Sequence, residues 1–132
     1  MKIPNIDCII QMTSTLNPSE DSEKVKKAIS NIFPHSTVKS EFFAISAQST
    51  ELRSFEKIYE TIHSKKSQNT YRCHLEKNLD SNTTWFYLNK QAAFVEQIAI
   101  CEEAEESPLG PIKVILTSSN IDRVIDWIIL GN

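Results

Sequence analysis

Apolar and polar residues alternate through residues 6–16 (IDCIIQMTSTL), so that Cys8, Ile10 and Met12 share one side and Ile9, Gln11 and Thr13 the other. A period of two marks a strand buried on one face. Asn17-Pro18-Ser19-Glu20-Asp21 breaks the pattern. Asp21 or Ser22 then caps a helix, with Glu23 near its positive end. Val25, Ala28, Ile29, Ile32 and Phe33 recur at helical spacing, and Pro34 stops the run. A second strand is predicted over about 37–47, with Phe43, Ile45 and Ala47 on one side and Phe42 and Ala44 on the other. Ser49 or Thr50 opens a second helix whose inward stripe is Leu52, Phe55, Ile58, Tyr59 and Ile62. After a break at 64–67, a third helix is predicted over 68–79, with Tyr71, Leu75 and Leu79 inward and Cys73 and Lys77 outward.

The chain is organised around residues 82–118, which read as three strands, at 82–89, 90–101 and 112–118. The last two are expected to form a hairpin around the acidic loop 102–106 and the turn SPLGP at 107–111, where Pro108 and Gly110 suit a type I turn. Lys90–Ala93 reads equally as a bend or a short helical turn. Thr84, Phe86 and Leu88 face one way and Trp85 and Tyr87 the other. Likewise Ile112, Val114 and Leu116 oppose Lys113, Ile115 and Thr117. Asn120 caps a final helix with Ile121, Val124, Ile125 and Ile128 inward. The order β-α-β-α-α-β-β-β-α predicts one α+β domain over 1–132. Its sheet is mixed and mostly antiparallel, of about five strands, with helices mainly on one face.

That arrangement leaves Ile9, Phe42, Trp85, Tyr87 and Ile115 on the opposite face, among Gln11, Thr13, Lys39, Lys113 and Thr117. An apolar patch of that size marks a contact surface. Three outcomes stay open: a homodimer packed through the sheet; unpaired RNA bases stacked on the rings, with Lys39, Lys90 and Lys113 at phosphates; or helices on both faces, which would make the patch ordinary core.

Composition narrows the choices. The 132 residues carry a net charge of −3, which argues against a general polyanion binder. The charge is uneven, however. Residues 53–77 hold six Lys or Arg against three acids, while residues 78–132 hold three against eight. The best phosphate contacts in the basic stretch are Lys65, Lys66, Arg72 and Lys77, whose bland alternative is a solubilising surface. Three widely spaced cysteines, Cys8, Cys73 and Cys101, suit a reducing compartment, and no apolar signal segment or membrane span is visible; a cytoplasmic protein is expected. With two glycines there is no phosphate-cradling GxGxxG or GxxxxGK[ST] loop. His35, His63 and His74 form no short ligand pair, so neither a metal nor a cofactor is expected. Asn89, Lys90 and Gln91 are the only dense polar cluster between apolar strands. They either bond a ligand or satisfy backbone at a strand end.

NPSED at 17–21 running into EKVKKAI at 23–29, NIFP at 31–34, NKQAA at 89–93, ESPLGPI at 106–112 and IDWI at 125–128 together resemble an uncharacterised family of small archaeal proteins. The resemblance spans nearly the whole chain. It implies a fold like that of the large-subunit ribosomal protein that binds 5S ribosomal RNA, and a possible RNA role, since a sister family is predicted to accompany the RNA exosome. It supplies no catalytic residues. The leading expectation is therefore a non-catalytic RNA-binding or RNA-associated protein. The alternative is a protein-interaction module or homodimer. A small enzyme centred on Lys90 comes third.

Overall fold

The computed structural model describes residues 2–131. Six strands form one sheet: β1 (Ile9–Thr15), β2 (Thr37–Ser40), β3 (Ala44–Ser49), β4 (Thr83–Leu88), β5 (Ile100–Cys101) and β6 (Ile112–Thr117). Their order is β2-β3-β1-β6-β4-β5, and every neighbouring pair is antiparallel. Five helices accompany them: α1 (Ser22–Ile32), α2 (Glu56–Ser64), α3 (Gln68–Lys77), α4 (Lys90–Phe94) and α5 (Ile121–Leu130).

The period-two pattern decides which side is covered. In β1, β4 and β6 the alternate residues Ile10, Met12, Phe86, Leu88, Ile112, Val114 and Leu116 are buried, while their neighbours are partly or fully exposed. The stripes of all five helices join those residues in a single apolar cluster, so the helices lie on one face. Phe86 shows the packing: its ring meets Phe55 and Tyr71 edge-on at 6.3 and 5.5 Å. Asp21 caps α1 by accepting from the Glu23 amide at 3.0 Å. Gly131 ends α5 at φ +79°, where an added Cβ would sit 2.5 Å from the Tyr59 hydroxyl.

Four expectations need correction. The strand expected over 37–47 is a hairpin, β2 and β3, whose tip carries Phe42 and Phe43 at 91% and 71% exposure. The Glu41 amide bonds the Ala44 carbonyl at 2.8 Å to close this turn, so Phe43 is exposed and not core, and Phe42 stands at the hairpin tip outside the paired strand residues. Next, β5 and β6 do not form a hairpin. Asn89 caps α4 through the Ala92 amide, the Asn89 amide bonds the Ala99 carbonyl at 2.8 Å, and the chain returns so that β5 pairs with β4. Among the described residues the sheet accordingly has six strands and no parallel pair. Last, Trp127, absent from the expected stripe of α5, is completely buried.

No helix among the described residues is long and apolar enough to cross a membrane.

Candidate functional site

The strand register lays the uncovered face out as transverse rows. One row runs Thr37–Gln48–Gln11–Ile115–Trp85 and the next Lys39–Ser46–Thr13–Lys113–Tyr87. The β2, β3 and β1 end is thus lined mainly with amides and hydroxyls, and the other end with Ile115 and Lys113 of β6 and the Trp85 and Tyr87 rings of β4. A trough of about 750 Å³ runs over the polar end and reaches Ile115. Trp85 and Tyr87 stand 4.9 Å apart and half-buried, with no helix above them. Lys113 places its ammonium 4.6 Å from the Trp85 ring centre, a cation–π contact.

A second, smaller cleft of about 270 Å³ opens where β5 stops short and leaves the outer edge of β4 free. Asn78 closes part of that edge by donating to the Trp85 carbonyl at 2.9 Å. Trp85 and Tyr87 line the cleft on one side, Lys77 and His74 of α3 on another, and the acidic loop on the third.

The structure divides the expected site residues into three groups. Trp85, Tyr87 and Ile115 lie together on the open face, with Ile9 at its far end, 41% exposed. Lys77 joins them through the small cleft. Lys65, Lys66 and Arg72 lie on the helical layer, on the opposite side of the sheet; Arg72 is engaged by Glu76 at 3.2 Å. Lys90 does not reach the surface. It is 0% exposed, and its ammonium contacts both Glu20 oxygens at 3.1 Å and the Thr15 and Leu109 carbonyls at 2.9 Å. Four protein acceptor atoms occupy its donors, so it is available neither to phosphate nor as an enzymatic base.

Lys90 instead holds a polar knot. Asn17 donates to Glu20 at 2.8 Å and to the Leu109 carbonyl at 2.9 Å. Ser107 accepts from the Lys90 amide and donates to the Gly110 carbonyl, both at 3.0 Å. Gln91 donates to the Pro108 carbonyl at 3.4 Å. Gly110, at φ +91°, has no room for a Cβ, which would lie 2.7 Å from the Thr15 hydroxyl. Asn89, Gln91, Ser107, Pro108 and Gly110 are therefore structural here, and they tie the loops after β1, β4 and β5 together. Burial works to raise the Glu20 pKa. Hydrogen bonds from the Asn17 amide and side chain and from Lys90 outweigh it and hold the carboxyl below its usual value.

The cysteines are dispersed, and burial pushes the Cys8 thiol up to about 11. Among the described residues, no cluster of three or more His, Cys, Asp or Glu is placed to hold a metal. His74, Asn78 and the acidic loop were not legible as neighbours of the rings, because only the shortness of β5 brings them to the β4 edge.

A family model described as RNA binding matches residues 9–118, from the start of β1 to just past the end of β6. A UPF0201 protein of Sulfurisphaera tokodaii is 38% identical over 117 residues, covering 86% of this chain and 81% of that protein. A UPF0201 protein of Methanothermobacter thermautotrophicus is 35% identical over 121 residues, covering 90% and 89%. The crystal structure of the UPF0201 protein from Methanococcus jannaschii matches with a TM-score of 0.77 at 31% identity over 92% of each chain.

Proposed function

The chain belongs to the archaeal UPF0201 family, and from that premise we propose that it is a cytoplasmic RNA-binding protein that takes unpaired RNA across the open face of its sheet. The observation that carries this reading is the Trp85–Tyr87 pair, 4.9 Å apart beneath no helix, with Lys113 over the indole. Base–aromatic stacking contributes about 1–3 kcal/mol per base. Lys39, Lys77 and Lys113 are spaced along the same surface for phosphates. Gln11, Thr13, Ser46 and Gln48 offer donors and acceptors to base edges and 2′-hydroxyls. The likeness to the ribosomal protein that binds 5S ribosomal RNA belongs to this proposal and rests on the sequence resemblance alone.

Stacking carries more of the affinity than charge, given the net charge of −3. Three phosphate contacts give a slope of log K against log salt of about −2 for a single strand. In a titration followed by the fluorescence anisotropy of a dye-labelled short single-stranded RNA, Trp85→Ala weakens binding about 5- to 150-fold. Lys65→Ala combined with Lys66→Ala changes it less than about two-fold, because those side chains lie behind the sheet. Absence of binding at low salt, or full affinity in Trp85→Ala, ends the proposal.

A second reading, self-association, is favoured by Phe42 and Phe43, two packed rings 5.4 Å apart and unshielded at the hairpin tip beside the edge strand β2. It predicts a dimer in sedimentation at micromolar concentration that Phe42→Ser with Phe43→Ser converts to monomer. A wild-type monomer at that concentration removes it.

A further inference from the structure

The small cleft at the β4 edge combines features that an RNA-binding face does not need for stacking alone. Carboxylates stand beside the rings, where they repel phosphate. Glu106 is engaged in capping its own loop, accepting from the Glu102 and Glu103 amides. Glu102 and Glu105 line the cleft, and no hydrogen bond or ion pair holds their side chains among the described residues. Across from them, His74 is only 8% exposed, lines the same cleft, and has no side-chain partner among the described residues. Its ring nitrogens are not among the fully enclosed unpartnered atoms, so what little of the imidazole reaches the surface includes its polar edge, open to a ligand in the cleft. Lys77 completes the wall.

These groups match one chemistry. Carboxylates accept hydrogen bonds, so they select a ligand edge that donates. An aromatic floor selects a flat ring. His74 and Lys77 offer donors to acceptors on that ring. Guanine presents two adjacent donors, N1–H and the N2 amine, for a carboxylate, and O6 and N7 as acceptors. Adenine and uracil have no such donor pair, and cytosine has only its N4 amine. A volume of about 270 Å³ suits a single base.

We propose that the cleft bounded by Trp85, Tyr87, His74, Lys77, Glu102 and Glu105 is a pocket for one unstacked guanine of a single-stranded RNA. This rests on the reading of the open face as an RNA surface and gives it a sequence preference. The carboxylates then act as a filter: they oppose bare phosphate and favour the one base whose donors satisfy them. The chain's acidity and an RNA role cease to conflict at this point of the surface.

The test uses the whole protein and pentamers of the form UUXUU, with X varied over the four bases and inosine. Expected is a preference for guanine over adenine of about ten-fold or more, the scale of a good bidentate contact. Inosine, which lacks the N2 amine, loses most of it. Glu102→Gln with Glu105→Gln brings the ratio to near one, while affinity for UUUUU holds or rises as negative charge is removed. Equal binding of all bases overturns the pocket and leaves the open-face reading standing. So does a guanine preference that survives in the double variant or in the inosine oligomer. If no pentamer binds, both proposals fail together. Quenching of Trp85 by arginine amide but by none of the oligomers assigns the cleft to a cation and overturns the guanine pocket.

Discussion

Replacing Lys90 with alanine lowers the stability of the fold by about 3–5 kcal/mol, measured by urea denaturation. The side chain is completely enclosed, and its removal leaves the Glu20 carboxylate, 6% exposed, without its ammonium. It also strips the Thr15 and Leu109 carbonyls of a donor. Glu20→Gln costs a similar amount, because the charge then left inside belongs to Lys90. Glu20→Gln combined with Lys90→Met costs less than the sum of the two, since the double change removes both charges. The same pair sets an acid limit. The folded-state pKa of Glu20 is depressed. Its contribution is therefore complete above the ordinary glutamate value of about 4.3 and is lost as the pH falls through the lower folded value. The Glu20→Gln variant lacks that portion of the acid transition. An unchanged urea midpoint in Lys90→Ala would show the knot to be dispensable.

Trp127→Ala has a comparable effect, about 3–5 kcal/mol, for a different reason. The indole is wholly enclosed, stacks on Tyr59 at 4.9 Å and donates to the Lys2 carbonyl at 2.9 Å. Truncation opens a cavity beneath α5 and frees the segment before β1. Trp127→Phe keeps part of the stack and loses the hydrogen bond, so it costs distinctly less. Thermal unfolding of the three proteins, with hydrogen exchange over residues 2–8, separates the two parts: the phenylalanine variant loosens the N-terminal segment while keeping most of the stability. Equal melting of the alanine variant and the wild type would contradict the burial of this ring.

Strand faces were readable in the sequence wherever one side of the sheet is buried and the other is not. In β1, β4 and β6 the alternation of Ile10, Met12, Phe86, Leu88, Val114 and Leu116 with their neighbours can be satisfied only one way round. For this reason the half-buried placing of Trp85, Tyr87 and Ile115 on the uncovered face could be anticipated. The β2–β3 turn was hidden because Glu41-Phe42-Phe43 contains no glycine, proline or asparagine and continues the apolar pattern of its surroundings. The burial of Lys90 was hidden because Glu20 lies 70 residues earlier and a lysine defaults to the surface. Trp127 escaped because α5 is apolar on most of its circumference, and one stripe undercounts what it buries. The polar cluster at 89–91 stands out in the sequence, and backbone satisfaction at a strand end is one of its two readings. Its partners at 17–20 and 107–110 are set by topology, not by spacing.

Translation order gives the sheet an unusual assembly problem. β6 lies between β1 and β4, yet it is made after every other strand. Until it leaves the ribosome, a three-stranded half (β2, β3, β1) and a two-stranded half (β4, β5) wait with the inner edges of β1 and β4 unpaired. Released chains truncated before residue 112 should therefore aggregate or recruit chaperones, and released chains that include β6 and α5 should not.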